Sequence, residues 1–263
     1  MTAQLPSFEF FRLKVNNGVA IVTIDRPPVN AMSRQVYESL DKLIAYIEGA
    51  KDIRSVVLAC AEDARAWIGG ADLHEFLKLT AETRRDRHEY VEGVTDRFYN
   101  LSRPTVAAIT KPAIGGGMVF ASFSDIVVAA DTAFFAMPEV DRGLTGGGGA
   151  YFNRLNLPVS FIREMVLTGR RFTAQEMDKA GFINHLLPQE QVLAKAIEIA
   201  ELIATKSGSA VRAIKQSVNL IDQLGWDEGR AAAHAKSVAL VEGPDYKEGI
   251  SAFLERRKPS YNQ

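Results

Sequence analysis

Apolar and polar positions along the chain change period several times, and each change marks an element. Phe8 to Leu13 and Val19 to Ile24 are short runs of aromatic and β-branched residues. Asn16-Asn17-Gly18 lies between them, so a hairpin is predicted. Ser33 is placed to cap a helix in which Val36, Leu40, Leu43, Ile44 and Ile47 recur on one face. Further strands are predicted at Ser55 to Ala59, Val106 to Thr110, Ile126 to Ala129 and Phe134 to Ala136. Ala81 to Leu101 reads as a polar, solvated and mobile helix carrying Arg84, Arg85, Arg87 and Glu89. Met118 to Ser122 opens an apolar helix directly after Gly115-Gly116-Gly117.

Strands and helices thus alternate to about residue 140, the pattern of crossover connections and a largely parallel sheet. Beyond it, helical spacing recurs at about 159–168, 174–180, 189–205, 208–222, 226–242 and 245–257. Gly181 to Leu187 reads as a short extended piece. The expectation is an α/β chain, with a core over 1–200 and a helical region over 201–263. The last helices carry many apolar residues with no later sheet to cover, which suits either their own core or a subunit interface.

Composition narrows the function classes. With 31 Lys and Arg against 32 Asp and Glu, the net charge of −1 excludes a broadly basic nucleic-acid binder. No apolar run reaches the ~20 residues of a membrane span. Met1 to Pro6 has neither the basic nor the apolar part of a signal peptide. A single cysteine, Cys60, fits a reducing compartment, and a cytoplasmic protein is expected. His74, His88, His185 and His234 form no pair at metal-ligand spacing, so no metal is expected. No G-x-S-x-G elbow is present, and the Gly146 to Gly149 run lacks the Lys-Ser/Thr of a P-loop.

The informative feature is a combination of two glycine turns. Gly69-Gly70-Ala71-Asp72 follows a strand and loop, and Gly115-Gly116-Gly117 follows a strand and opens a helix. Small residues admit a ligand close to the backbone, and a helix start leaves N–H groups free. If the turns meet, two donors converge on one oxygen, each worth ~3 kcal/mol to a developing oxyanion. Met137-Pro138-Glu139 adds a carboxylate among apolar residues, where a raised pKa would let it exchange protons near neutrality.

These pieces, in order, resemble the crotonase superfamily, the enoyl-CoA hydratases and isomerases. The resemblance is carried by Val22-Thr-Ile-Asp-Arg-Pro-Pro-Val-Asn-Ala31, Gly69-Gly-Ala-Asp-Leu73, Lys111-Pro-Ala-Ile-Gly-Gly-Gly117, Ser124-Asp-Ile-Val-Val-Ala-Ala130 and Phe135-Ala-Met-Pro-Glu139. It continues through Leu167-Thr-Gly-Arg-Arg171, Ala180-Gly-Phe-Ile-Asn184 and Phe253-Leu-Glu-Arg-Arg-Lys-Pro259. The resemblance implies a spiral core of ββα units and a helical C-terminal region used in a homotrimer or a dimer of trimers. It implies a coenzyme A thioester as substrate and no separate cofactor. Ala71 and Gly116 would give their N–H groups to the thioester carbonyl, with Glu139 as acid/base. Arg26, Val29, Gly69, Gly70, Asp72 and Leu73 would border the CoA, and Gly115 and Val119 would also meet the substrate; Met118 would shape the acyl pocket or, as such residues more often do, pack in the core. His74 stands where the family often has Lys near a CoA phosphate; an exposed helix position explains it equally well. Trp67 is read as either pocket or core. Arg256, Arg257 and Lys258 suit a solvated helix end or CoA phosphates across an interface.

One departure matters. Classical hydratases of the family carry a first glutamate two residues beyond the glycine triplet, and here that residue is Val119. Valine neither accepts a proton nor holds a water. Three readings stay open: isomerisation by Glu139 alone, favoured by a small margin; hydration by a single glutamate; and a non-catalytic protein that binds acyl-CoA or a protein partner. The nucleophilic aspartate of the aryl-CoA dehalogenases would fall within Gly146 to Gly149, which disfavours that chemistry. Asp125 reads as structural, and Asp141 as a partner of Arg142, a turn cap or a pocket residue.

Overall fold

The computed structural model describes residues 5–145 and 157–261. The Gly146 to Gly149 run therefore lies outside the described residues. Strands β1 (Phe11–Asn16) and β2 (Val19–Ile24) pair antiparallel, Asn16 opposite Val19. Asn17 and Gly18 between them both have positive φ, 50° and 78°, as a tight two-residue hairpin turn requires. That turn fixes the register and moves β1 three residues beyond the Phe8 start that composition suggested.

Helix α1 (Arg34–Gly49) begins at Ser33, whose hydroxyl accepts the Val36 N–H at 3.4 Å. Its predicted face, Val36, Leu40, Leu43, Ile44 and Ile47, is buried in the core. Each such side chain contributes about 1.5–3 kcal/mol on burial. Strands β3 (Ser55–Cys60) and β4 (Thr105–Ile109) extend the sheet in parallel. Between them run the short helix α2 (Leu73–Phe76) and the long helix α3 (Ala81–Tyr99).

Next come β5 (Ala113–Ile114), α4 (Gly116–Phe123), β6 (Ile126–Ala130) and β7 (Phe134–Ala136). A 3₁₀ turn, Pro138–Arg142, leads to α5 (Val159–Thr168), β8 (Phe172–Thr173), α6 (Ala174–Lys179) and β9 (His185–Leu187). The larger sheet has the order β1-β2-β3-β4-β6-β9, parallel beyond the first hairpin. The smaller sheet, β5-β7-β8, stands apart from it and carries the glycine triplet.

Helix α7 (Gln189–Ala204) packs on β2, β3, β4 and β6 through Val192, Ala196 and Ala200, all fully buried. Helices α8 (Gly208–Leu224) and α9 (Trp226–Ala239) lie against each other, and α10 (Pro244–Leu254) ends the series. Lys215 on α8 ties this region back to the sheet. Its buried ammonium donates to Asp125 at 2.7 Å, and the same carboxylate oxygen accepts the Thr105 N–H at 2.7 Å. Asp125 is thus structural, as its sequence setting suggested. Large apolar side chains stay exposed along these helices, among them Ile214, Val218, Trp226, Val238, Phe253 and Leu254.

Candidate active site

Backbone pairing brings the two glycine turns together. Trp67 N–H donates to the Pro112 carbonyl, and Ile114 N–H to the Ile68 carbonyl, so 67–70 runs beside 112–115. Gly115 N–H then donates to the Ala136 carbonyl of β7 at 2.8 Å, which locks the triplet to the strand preceding Glu139. Gly70 has φ of +92°, and a Cβ there would sit 3.1 Å from the Ile114 carbonyl oxygen. Gly69 is held as tightly, since a Cβ would lie 2.6 Å from the Val29 carbonyl that accepts its N–H. Only glycine permits these approaches. The Ala71 N–H and the first N–H of α4, on Gly116, donate to no backbone carbonyl among the described residues. Both residues line one cavity.

That cavity measures about 160 Å³ and lies between the two turns, α2, α3 and the 3₁₀ turn. Gly69, Gly70, Ala71, Leu73, Gly115, Gly116, Val119 and Glu139 all line it. Glu139 is the one carboxylate among the described lining residues. Its Oε2 is buried without a hydrogen-bond partner. Burial pushes its pKa above the ordinary glutamate value; its own backbone N–H and the Arg142 charge act against this more weakly. A half-buried carboxyl with its pKa raised in this way is suited to take up and release a proton. Val119 lines the wall, at the position where the sequence resemblance implies a first glutamate.

Met118 does not join this wall. It is fully buried, with its side chain in the core. Successive residues of a helix point about 100° apart. When Val119 faces the cavity, Met118 faces the packing behind it. Trp67 is core as well, its indole N–H donating to the Leu58 carbonyl.

Arg26, Val29, Asp72 and His74 lie beside the cavity rather than in its lining. Arg26 donates to Asp72 at 2.7 Å and to the Ala31 carbonyl at 2.6 Å. Asp72 also caps α2 by accepting the His74 N–H. Burial works to raise the Asp72 carboxyl, yet Arg26 and the His74 N–H hold it below the usual value. The His74 side chain is exposed. Asp141 is outside the lining, and Arg142 donates to the Pro138 carbonyl rather than to Asp141. Arg257 is engaged by Glu248 and Glu255, with Glu248 lowered to about 2 by that hydrogen bonding.

The sequence points to the 75–101 region as a cover for the pocket but does not single out which of its residues face the cavity. Phe76, Arg84, Arg87 and His88 line the cavity, so α3 is not simply a solvated helix. Tyr37 of α1 and Leu144 also line it. The available signal was the contiguity of Arg84, Arg87, His88, Val91 and Thr95 at spacings of three and four, one face of a helix.

A family model described as "Enoyl-CoA hydratase/isomerase" matches residues 14–263. The chain belongs to the enoyl-CoA hydratase/isomerase family. Within that family it is 30% identical to a probable mitochondrial enoyl-CoA hydratase of Dictyostelium discoideum, over 99% of this chain and 96% of the relative. It is 31% identical to the 2,3-dehydroadipyl-CoA hydratase of Escherichia coli strain K12, over 92% of this chain and 94% of the relative. The crystal structure of an enoyl-CoA hydratase from Bacillus anthracis superposes with a TM-score of 0.89 at 28% identity, covering 96% and 99% of the two chains. The enoyl-CoA hydratase/isomerase family thus accounts for the whole fold, a mixed α/β crotonase fold.

Proposed function

We propose that this protein is an enoyl-CoA isomerase that moves a double bond along an acyl-CoA thioester, with Glu139 as its acid/base. The observation that carries the reading is that Glu139 is the one carboxylate among the described residues of the cavity wall, with Val119 where a second would stand. Isomerisation needs one group that removes a proton from a carbon next to the conjugated system and returns it at another carbon. The thioester oxygen gains negative charge between these steps. The N–H groups of Ala71 and Gly116 are the donors assigned to that oxygen, each worth about 3 kcal/mol in the transition state. The apolar Val119 disfavours a bound water beside the enolate.

Coenzyme A belongs to the substrate, and the chemistry calls for no separate cofactor. Arg26, Val29, Asp72, Leu73 and His74 border the CoA arm outside the cavity. The exposed apolar side chains of α8, α9 and α10 form the contacts of a homotrimer or a dimer of trimers. The working compartment is the cytoplasm.

A second reading is favoured by the names of the relatives, which are hydratases. In it, Glu139 alone deprotonates a water and protonates the carbon next to the thioester. A Glu139→Gln variant tests both readings. The expected loss is about 10²–10⁴-fold in turnover of enoyl-CoA, with thioester binding retained. Equal turnover by the variant would remove Glu139 from the chemistry. A wild type that binds enoyl-CoA esters but converts none would instead indicate a binding protein.

A further inference from the structure

The α3 wall carries a charge that no described carboxylate pairs with. Arg84 and Arg87 both lie over the ring of Phe76, their guanidinium carbons 4.5 and 4.9 Å from its centre. Arg87 has a carboxylate partner, Glu75, at 3.2 Å, and it also donates to the Met32 carbonyl. Arg84 has no ion pair or side-chain hydrogen bond among the described residues, and its charged neighbour is the like-charged Arg87. Both line the same cavity as Glu139.

Leu73, Val91, Val119 and Met137 give the same cavity an apolar wall as well. A half-buried guanidinium beside a second one is costly unless an anion joins them. The planar fork of arginine matches a carboxylate with two parallel hydrogen bonds. A cavity of about 160 Å³ has the size that holds one benzene-sized molecule, so an acyl chain of roughly six carbons fills it.

We propose that the acyl chain of the substrate ends in a carboxylate, and that Arg84 on α3, in the wall of the same cavity, binds that carboxylate. This names the substrate class of the site and rests on the reading of the cavity as an acyl-CoA site. Arg84 becomes a specificity-determining residue, whereas Glu139 and the two glycine turns serve any enoyl thioester.

The test is a calorimetric comparison of two saturated thioesters of equal chain length, hexanoyl-CoA and its analogue with a terminal carboxylate, alongside free CoA. Because neither ligand reacts, the result is independent of which reaction Glu139 performs. Wild type is expected to bind the carboxylated ester roughly tenfold to hundredfold more tightly than the neutral one. Arg84→Gln is expected to bring that ratio close to one, and Arg84→Lys to keep part of it. Arg84→Glu is expected to reverse the preference toward a chain ending in an ammonium group. Equal affinities in wild type overturn the proposal, leaving Arg84 as a cation stacked on Phe76. A parallel loss for both esters and for free CoA in Arg84→Gln also overturns it, because Arg84 would then serve the CoA phosphates. If neither ester binds more tightly than free CoA, the acyl-site reading itself fails, and with it this inference.

Discussion

The Oε1 atom of Glu139 occupies the place where a side chain on Gly115 would begin. The two residues come from different elements, and the hydrogen bond from Gly115 N–H to the Ala136 carbonyl holds them in register. The lack of a side chain at Gly115 thus creates the seat of the carboxylate. Gly115 also has φ of +53°, where an L side chain is strained.

Gly115→Ala should therefore displace the Glu139 carboxyl and strain the turn at once. A misplacement of about 1 Å in a reacting group costs about 10²-fold in rate. The expected result is a fall in kcat/KM of at least that order, with a stability loss of about 1–3 kcal/mol. Steady-state kinetics and a urea melt of the variant check both.

The raised pKa of Glu139 has a stability consequence with a definite sign. An acid whose folded pKa lies above its unfolded value stabilises the fold fully below the unfolded pKa, and loses that contribution as pH rises through the folded pKa. Glu139→Gln removes the ionisation, so the variant should gain on wild type as pH rises from 4 to 8. A gain of about 1 kcal/mol corresponds to roughly 2–4 °C in Tm for a chain of this size. Melts of both proteins across that range are the check; a gap that shrinks with rising pH would contradict the burial of a charged carboxylate.

The same group should shape the rate profile. If ionised Glu139 begins the reaction, kcat/KM rises with pH through a limb displaced above the ordinary glutamate range, because burial raises that pKa. The residual activity of Glu139→Gln should lack the limb. A limb at the ordinary glutamate value would place the titration elsewhere.

Val119 lines the cavity and is 6% exposed. Val119→Glu would set a second carboxylate opposite Glu139, able to hold a water. Hydration of a short 2-enoyl-CoA should rise relative to isomerisation by at least tenfold. The new carboxylate is buried, so the melting temperature should drop most at alkaline pH, where it is forced to ionise. Product analysis by chromatography, with a melt at two pH values, reads both effects.

Most of the frame was legible in the sequence because its signals are local. Asn17-Gly18 announces the hairpin, Ser33 the start of α1, and the glycine triplet the start of α4. What escaped depends on tertiary placement. The start of β1 is set by the register the turn imposes, so Phe8 to Phe10 fall outside the strand despite their composition. Met118 and Val119 are equivalent apolar letters, and only the orientation of α4 against the core tells wall from packing. Arg84, Arg87 and His88 look like a solvated face because a polar cavity wall and a water-facing surface use the same residues. The two glycine turns were visible separately; the ladder of hydrogen bonds between 67–70 and 112–115 that joins them was not.

Under the proposed function, one carboxylate shuttles a proton while water is kept from the enolate. The most direct measurement gives the purified protein a short 3-enoyl-CoA and follows the absorbance of the conjugated 2-enoyl thioester. A rise that lasts is expected of the isomerase. A rise followed by decay would mean that water adds after the double bond moves, which contradicts the role given to Val119, and a flat trace would contradict isomerisation by Glu139 altogether.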